Sequence, residues 1–263
     1  MEKEALSKVE ELALRRLYIH QASSFSYLLR AILASLFLGF GVIVAFKTGN
    51  FFYVVHSPAA YPMAALAFGL AIIMISYGGG ILFTGDTFYY TYAAIRKQLA
   101  WKDVGRLWGY SYIGNLIGAV LFALLIAATG LFKDPSVNSF LVSVAKGKTL
   151  VPTSELFFRG ILCNWLVCMA FFLPYRLKSD TAKMLLMIIL VFGFFVSGYE
   201  HSIANLVTFS ISFVTGHPDA VTFDGIIHNI IPVTFGNLIG GTLFMALMYN
   251  YLNKPFMSEH EKH

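Results

Sequence analysis

Six stretches of about 20 mostly apolar residues recur along this chain, beginning near Leu28, Pro62, Leu107, Leu156, Met184 and Ile226. A helix of that length rises about 30 Å, the thickness of a bilayer's hydrocarbon core, and only there can so many apolar faces avoid water together. The composition agrees: 13% of the residues are charged, against about 25% in a soluble domain. The spacing predicts an all-α membrane protein with six transmembrane helices over 28–253. An amphipathic segment (1–27) precedes them and a short tail (254–263) follows. Leu6, Val9, Leu12, Leu14 and Leu17 recur at roughly helical intervals, so 1–27 reads as a helix lying at headgroup level. The first apolar run does not read as a cleavable signal, because a 27-residue segment rich in polar and charged residues comes before it and no small-residue cleavage pattern follows.

The net charge of +5 is a matter of topology. Fourteen of the 19 Lys and Arg fall in the N-terminal region through Arg30, the Arg96–Arg106 and Arg176–Lys183 loops and the tail. Lys47, Lys133, Lys146 and Lys148 lie on the other side, and Arg159 starts the fourth span. Positive loops mark the cytoplasmic face, so both termini are expected there, and no nucleic-acid partner is implied. Cys163 and Cys168 share one apolar segment and read as packing residues, and no cofactor or metal site is expected.

Gly114–Phe122 reads GNLIGAVLF and Gly236–Phe244 reads GNLIGGTLF, seven of nine positions agreeing. Thr87-Phe88 and Thr208-Phe209 form a weaker match at nearly the same offset. A duplicated unit of three spans must cross the bilayer in opposite senses, which predicts two inverted three-helix repeats. The second and fifth spans look broken. Gly78-Gly79-Gly80 leads into Leu82–Thr87, and Ser197-Gly198-Tyr199-Glu200-His201-Ser202 interrupts span five. Irregular backbone survives at membrane depth only where protein buries it or water reaches it. Half-helices are expected to start at about Asp86 and Ser202, with these residues as N-caps and their positive ends favouring an anion at the centre.

His201, with Glu200 beside it, is the ionisable group nearest the middle of a span. Histidine can gain or lose a proton near neutrality, so it could hold an anion as imidazolium or hand it a proton. Asn164 and Asn237 lie within spans, where an amide must find hydrogen bonds. The sequence holds neither a His-Glu-x-x-His motif nor a carboxylate pair within a span, which argues against a membrane-embedded enzyme. The absence of an Asn-Pro-Ala pair argues against a neutral-solute channel.

LFTGDT (Leu82–Thr87), GNLIGA (Gly114–Ala119), CNWLVC (Cys163–Cys168), GYEHSIAN (Gly198–Asn205) and IPVTFGN (Ile231–Asn237) together resemble the formate–nitrite transporter family, in the family's order. The resemblance implies an aquaporin-like fold assembled as a homopentamer in the bacterial cytoplasmic membrane, with one pore per protomer. It implies a central histidine at His201 and a vestibule lysine that attracts anions at Lys148. Pore asparagines fall on Asn164 and Asn237, and a loop threonine on Thr84. One hydrophobic constriction is expected at Phe194 with Leu82, and another, on the opposite side, at Phe68 with Ile72. LFTG with a following polar residue and Thr, the Trp of CNWLVC and GIIHN (Gly225–Asn229) resemble the nitrite branch, whereas IPVT is shared with the formate branch. The implied cargo is a small monovalent anion, nitrite first, with formate and hydrosulfide as alternatives and protons as a coupled partner.

Overall fold

The computed structural model describes residues 2–132, 134–215 and 221–257. Lys133, His217, His260 and His263 lie outside the described residues, as do positions 258–263 of the expected tail. Among the described residues all regular structure is helical. The first half holds α1 (Glu2–Ala22), α2 (Ser24–Tyr53), α3 (Ala60–Gly78), α4 (Phe83–Ile95) and α5 (Trp101–Ala128). Then follow α6 (Ser139–Thr149), α7 (Thr153–Phe172), α8 (Asp180–Val196), α9 (Ser202–Val214) and α10 (Phe223–Ile239). A π-helical stretch, Gly240–Leu247, carries α10 into α11 (Met248–Met257).

Among the described residues five helices are long and apolar enough to cross a membrane: Ser24–Tyr53, Ala60–Gly78, Trp101–Ala128, Thr153–Arg176 and Phe223–Lys254. The remaining apolar window, near Met184, is divided between α8 and α9, of 17 and 13 residues. The first span starts four residues ahead of Leu28. Ser23 stops α1 and caps α2, its hydroxyl accepting from the Ser26 N–H at 3.1 Å.

Both breaks are built the same way. Gly79 ends α3 at φ 73°, and the Gly80 N–H donates to the Ile75 carbonyl at 3.1 Å. Gly198 follows α8 at φ 72°, and the Tyr199 N–H donates to the Phe194 carbonyl at 3.1 Å. A left-handed glycine followed by a donor reaching five residues back is the usual way to satisfy the last carbonyls of a helix. Here it turns the chain out of one helix and, three residues on, into the next.

The repeated GNLIG stretches set helix against helix. A Cβ on Gly118 of α5 would stand 2.4 Å from the Ile32 carbonyl oxygen of α2, and one on Gly236 of α10 would stand 2.2 Å from the Phe157 carbonyl oxygen of α7. Backbone meets backbone at these positions, which only glycine permits.

The N-terminal helix is docked on the bundle instead of merely lying beside it. Ala5, Leu6, Val9 and Ala13 of α1 are buried, whereas Leu14 stays exposed. Arg96 Nε donates to Glu10 Oε1 at 3.3 Å, and Arg16 forms an ion pair with the fully buried Asp86 of α4. Asp86 was expected to cap the half-helix; it does not. The half-helix already starts at Phe83 with Leu82 in the cap position, so Asp86 lies a full turn inside, where its carboxylate points sideways to α1.

Candidate functional site

An asparagine from each GNLIG motif holds one break open. Asn115 Oδ1 accepts from the Phe83 N–H, the first of α4, at 2.9 Å, and Asn115 Nδ2 donates to the carbonyls of Ala31 (2.8 Å) and Ile81 (3.0 Å). Asn237 Oδ1 accepts from the Ser202 N–H, the first of α9, at 2.8 Å, and its Nδ2 donates to the carbonyls of Gly160 (2.8 Å) and Glu200 (2.9 Å). The extended strands are pinned alike: the Ile81 N–H donates to the Arg30 carbonyl at 3.0 Å, the Glu200 N–H to the Arg159 carbonyl at 3.3 Å. Each amide therefore serves a helix N-terminus, one carbonyl of the break (Ile81 or Glu200) that has no helical partner, and one carbonyl of the neighbouring continuous helix (Ala31 of α2 or Gly160 of α7). In this register His201 occupies the place that Leu82 has in the first half. Thr87 is the fifth residue of α4 and Thr208 the seventh of α9, so the shorter Thr-Phe sequence match is out of step with the structure.

His201 is the N-cap of α9, where Ser202 had been expected; Ser202 is the first helical residue. His201 Nδ1 accepts from the Ala204 N–H at 3.0 Å, and His201 Nε2 lies 2.9 Å from Thr84 Oγ1. An Nδ1 that accepts leaves the ring proton of a neutral imidazole on Nε2. The ring thus donates to Thr84, whose own hydroxyl proton is left to face a further acceptor. Phe194 lies nearly parallel to the imidazole, ring centroids 6.1 Å apart. Asn164 Nδ2 donates to the Thr84 carbonyl (3.1 Å), to Thr87 Oγ1 (2.9 Å) and to the Asn237 carbonyl, tying α7 to both breaks. Asn164 and Asn237 are completely buried, and the side chain of Asn237 is hydrogen-bonded to backbone at both its oxygen and its nitrogen.

Lys148 does not stand free. Its Nζ donates to Glu200 Oε2 at 2.9 Å, and both side chains are largely buried. Asn205 Nδ2 donates to the same carboxylate oxygen and, at 2.9 Å, to Asn229 Oδ1, while Asn229 Nδ2 donates to the Lys148 carbonyl at 3.0 Å. The lysine charge is thereby neutralised next to the histidine it flanks.

Three cavities follow one another through the bundle. One of about 30 Å³ touches Lys148, Tyr61, Asn205, Phe195, Phe68 and His201. The next, of about 20 Å³, is lined by Leu82, Ile72, Phe194, Phe68 and His201 among others. A third, of about 480 Å³, opens at the end of the bundle that carries α1 and begins at Ile75, which it shares with the second. The inner two hold about one water each, so no hydrated ion passes as they stand. Phe68 and Ile72 do not form a constriction separate from Leu82 and Phe194. All four line the same small cavity, because α3 and α8 pack side by side over the break, and of the four only Phe68 also reaches the first cavity, where Phe195 joins it.

Several residues escaped the sequence reading. The Arg16–Asp86 pair is extended by Tyr27, whose hydroxyl donates to Asp86 Oδ2 (3.3 Å) and meets the Tyr90 hydroxyl (2.8 Å), and Arg16 lies 5.0 Å over the Tyr89 ring. An Asp in an apolar stretch was the available signal for a cationic partner. Asn115 was visible as the Asn of the first GNLIG. Cys163 and Cys168 are free and buried.

A formate/nitrite transporter family model matches residues 3–251. The chain belongs to the formate/nitrite transporter family. It is thus one of a family of transporters and channels, and its apolar helices make it a multi-pass membrane protein. The chain is 57% identical over 253 residues to the uncharacterized transporter YwcJ of Bacillus subtilis, covering 96% of this chain and 99% of that protein. The nitrite transporter NirC of Salmonella typhimurium is 38% identical, covering 83% of this chain and 80% of its own length. Among solved structures, an FNT family ion channel superposes with a TM-score of 0.88 at 33% identity, covering 95% of this chain and 99% of that one. A pentameric formate channel with formate bound superposes with a TM-score of 0.73 at 25% identity, covering 93% and 99%. In this member of the formate/nitrite family, the histidine, threonine and lysine that the resemblance singles out stand within one contiguous hydrogen-bonded centre.

Proposed function

We propose that the chain is a pore for small monovalent anions, nitrite first, with formate and hydrosulfide as alternatives. It is read as six spans in two inverted repeats, broken at the second and fifth, forming an aquaporin-like homopentamer. Residues 28–253 make the pore, and the 1–27 segment and the tail face the bacterial cytoplasm with both termini. The identity to a nitrite transporter and the likeness to a pentameric formate channel support this reading.

The observation that carries the mechanism is the direction of the His201 hydrogen bonds. Charging the ring would place a proton on Nδ1, facing the Ala204 N–H, and would cost about 1 kcal/mol for the lost cap. It would also set a positive charge at the positive end of α9. His201 therefore works as a neutral donor: Nε2–H donates to Thr84 Oγ1 and so turns the Thr84 hydroxyl proton toward an anion held between the two small cavities. The Lys148–Glu200–Asn205 network stiffens the strand that carries His201. Passing the Leu82–Ile72–Phe194 cavity as a bare ion would cost several kcal/mol of lost hydration. Passing it as the neutral acid costs far less, so the anion crosses with a proton taken from hydronium in the bulk solution at the entry side and returned to the solution on the other.

Proteoliposome flux of nitrite, formate and hydrosulfide from about pH 5 to about pH 8, in the natural chain and in His201→Asn, tests this. Asparagine caps a helix as histidine does here, so the variant is expected to conduct more slowly with the same rise in flux toward acid. A rise that vanishes in His201→Asn would show that the ring shuttles the proton and would end the neutral-donor mechanism. A natural chain that passes none of the three anions would end the transport reading itself.

A further inference from the structure

The two halves differ in how they treat the cation beside the break. In the second half, the strand residue next to the histidine is Glu200, and it neutralises Lys148. The position equivalent to Glu200 in the first half is Ile81, which offers no charge. The arginine whose carbonyl receives that strand is Arg30. Its counterpart, Arg159, is held by Glu155 at 2.6 Å. Arg30 has no acidic partner among the described residues. Its Nη1 makes one long contact, 3.4 Å to the Gly79 carbonyl, and its Nε–H is buried without an acceptor.

Arg30 lines the 480 Å³ cavity at the foot of the break, beside Ile75, Gly79, Gly80 and Ile81. The guanidinium lies against Gly79 at the left-handed turn, where a Cβ would come within 3.2 Å of Nη1. The cavity's other cations are occupied or outlying: Arg16 is paired with Asp86, Lys183 with Asp180 and Lys8 with Glu11, and Arg15 is exposed.

We propose that Arg30 is the anion-docking and specificity-determining residue of this cavity, taking a small two-oxygen anion from, or passing it to, the slit at Ile75 and Leu82. The proposal rests on the anion-pore reading above. A guanidinium offers parallel N–H donors that match two oxygens at once, a geometry that an ammonium cannot reproduce. Nitrite and formate fit that fork, whereas hydrosulfide has a single heavy atom to present. Arg30 would thus favour oxyanions over hydrosulfide before dehydration begins.

The test is the concentration dependence of flux for nitrite, formate and hydrosulfide in proteoliposomes at fixed pH and about 0.15 M salt. It compares the natural chain with Arg30→Gln, Arg30→Lys and Arg15→Gln. Arg30→Gln is expected to raise the half-saturating nitrite and formate concentrations about tenfold, the size of one charge-assisted contact, with maximal flux little changed. Arg30→Lys is expected to raise them for nitrite and formate but not for hydrosulfide, and Arg15→Gln, an equal loss of exposed charge, to leave all three near the natural values. Equal shifts in Arg30→Gln and Arg15→Gln would reduce the effect to general potential and overturn the proposal. So would unchanged half-saturation in Arg30→Gln, or an Arg30→Lys variant that treats all three anions alike. Should the natural chain carry no anion, the transport reading falls first and the docking role with it; anion flux indifferent to Arg30 removes only the docking role.

Discussion

Breaking the Arg16–Asp86 pair should loosen the N-terminal helix about a hundredfold without unfolding the bundle. Asp86 is wholly buried and Arg16 nearly so, with side chains 0% and 16% exposed. Removing one partner of such a pair leaves the other charge uncompensated, which costs about 3–5 kcal/mol. Arg16 can reach water if α1 lifts, so the lower end applies to Asp86→Asn. About 3 kcal/mol multiplies the undocked population about a hundredfold. Leu6 and Val9 remain buried and oppose undocking by about 1.5–3 kcal/mol each, so α1 stays docked on average and opens more often. Amide hydrogen exchange in nanodiscs reads that opening directly. Protection over Glu2–Ala22 should fall about a hundredfold in Asp86→Asn, while α5 and α10 keep theirs. Replacing both partners, as Arg16→Met with Asp86→Leu, should restore much of the protection, because apolar pairs of similar volume substitute well for buried ion pairs. If Asp86→Asn exchanges like the natural chain throughout α1, the pair does not hold the helix and the reasoning is wrong.

Asn115→Ala and Asn237→Ala should destabilise the protein by similar amounts, about 3 kcal/mol, since each leaves one helix N–H and one break carbonyl without a partner; thermal unfolding in detergent checks this, and a large effect at one site alone would deny their equivalence. Gly236→Ala should lower the melting temperature sharply, because its Cβ meets a backbone oxygen at 2.2 Å, whereas Gly109→Ala, with nothing within 4 Å, should not. His20 packs on Tyr27 and Tyr110 and is held below its ordinary value by burial first and by Arg106 second. Above about pH 6.5 the ring is neutral whether α1 is docked or free; below it the free helix takes up the proton first. Docking should therefore weaken as pH falls through that value, seen as faster α1 exchange, and His20→Gln should flatten the dependence.

Much of the centre was legible because membrane burial makes polar residues rare and therefore informative. His201, Thr84, Asn164 and Asn237 stood out from apolar surroundings, and all four meet at the breaks. Asp86 was equally visible but was assigned to a cap, since a carboxylate near a helix start is ordinarily one. Its partner Arg16 lies 70 residues away in a segment that read as peripheral. Lys148 read as a free attractor because its distance from Glu200 along the chain hid their contact.

Length and periodicity along the chain sufficed for an all-helical membrane protein and the two glycine-marked breaks, because each answers to a local demand: bilayer thickness, or a carbonyl left without its donor. Which polar groups neutralise one another was decided only by packing. Ion pairs and caps depend on the few ångströms between segments far apart in sequence, and those distances exist only once α2 lies on α5 and α7 on α10. That is why the same GNLIG motif could be read twice from the chain, while the difference between a neutralised Lys148 and an unpaired Arg30 could not.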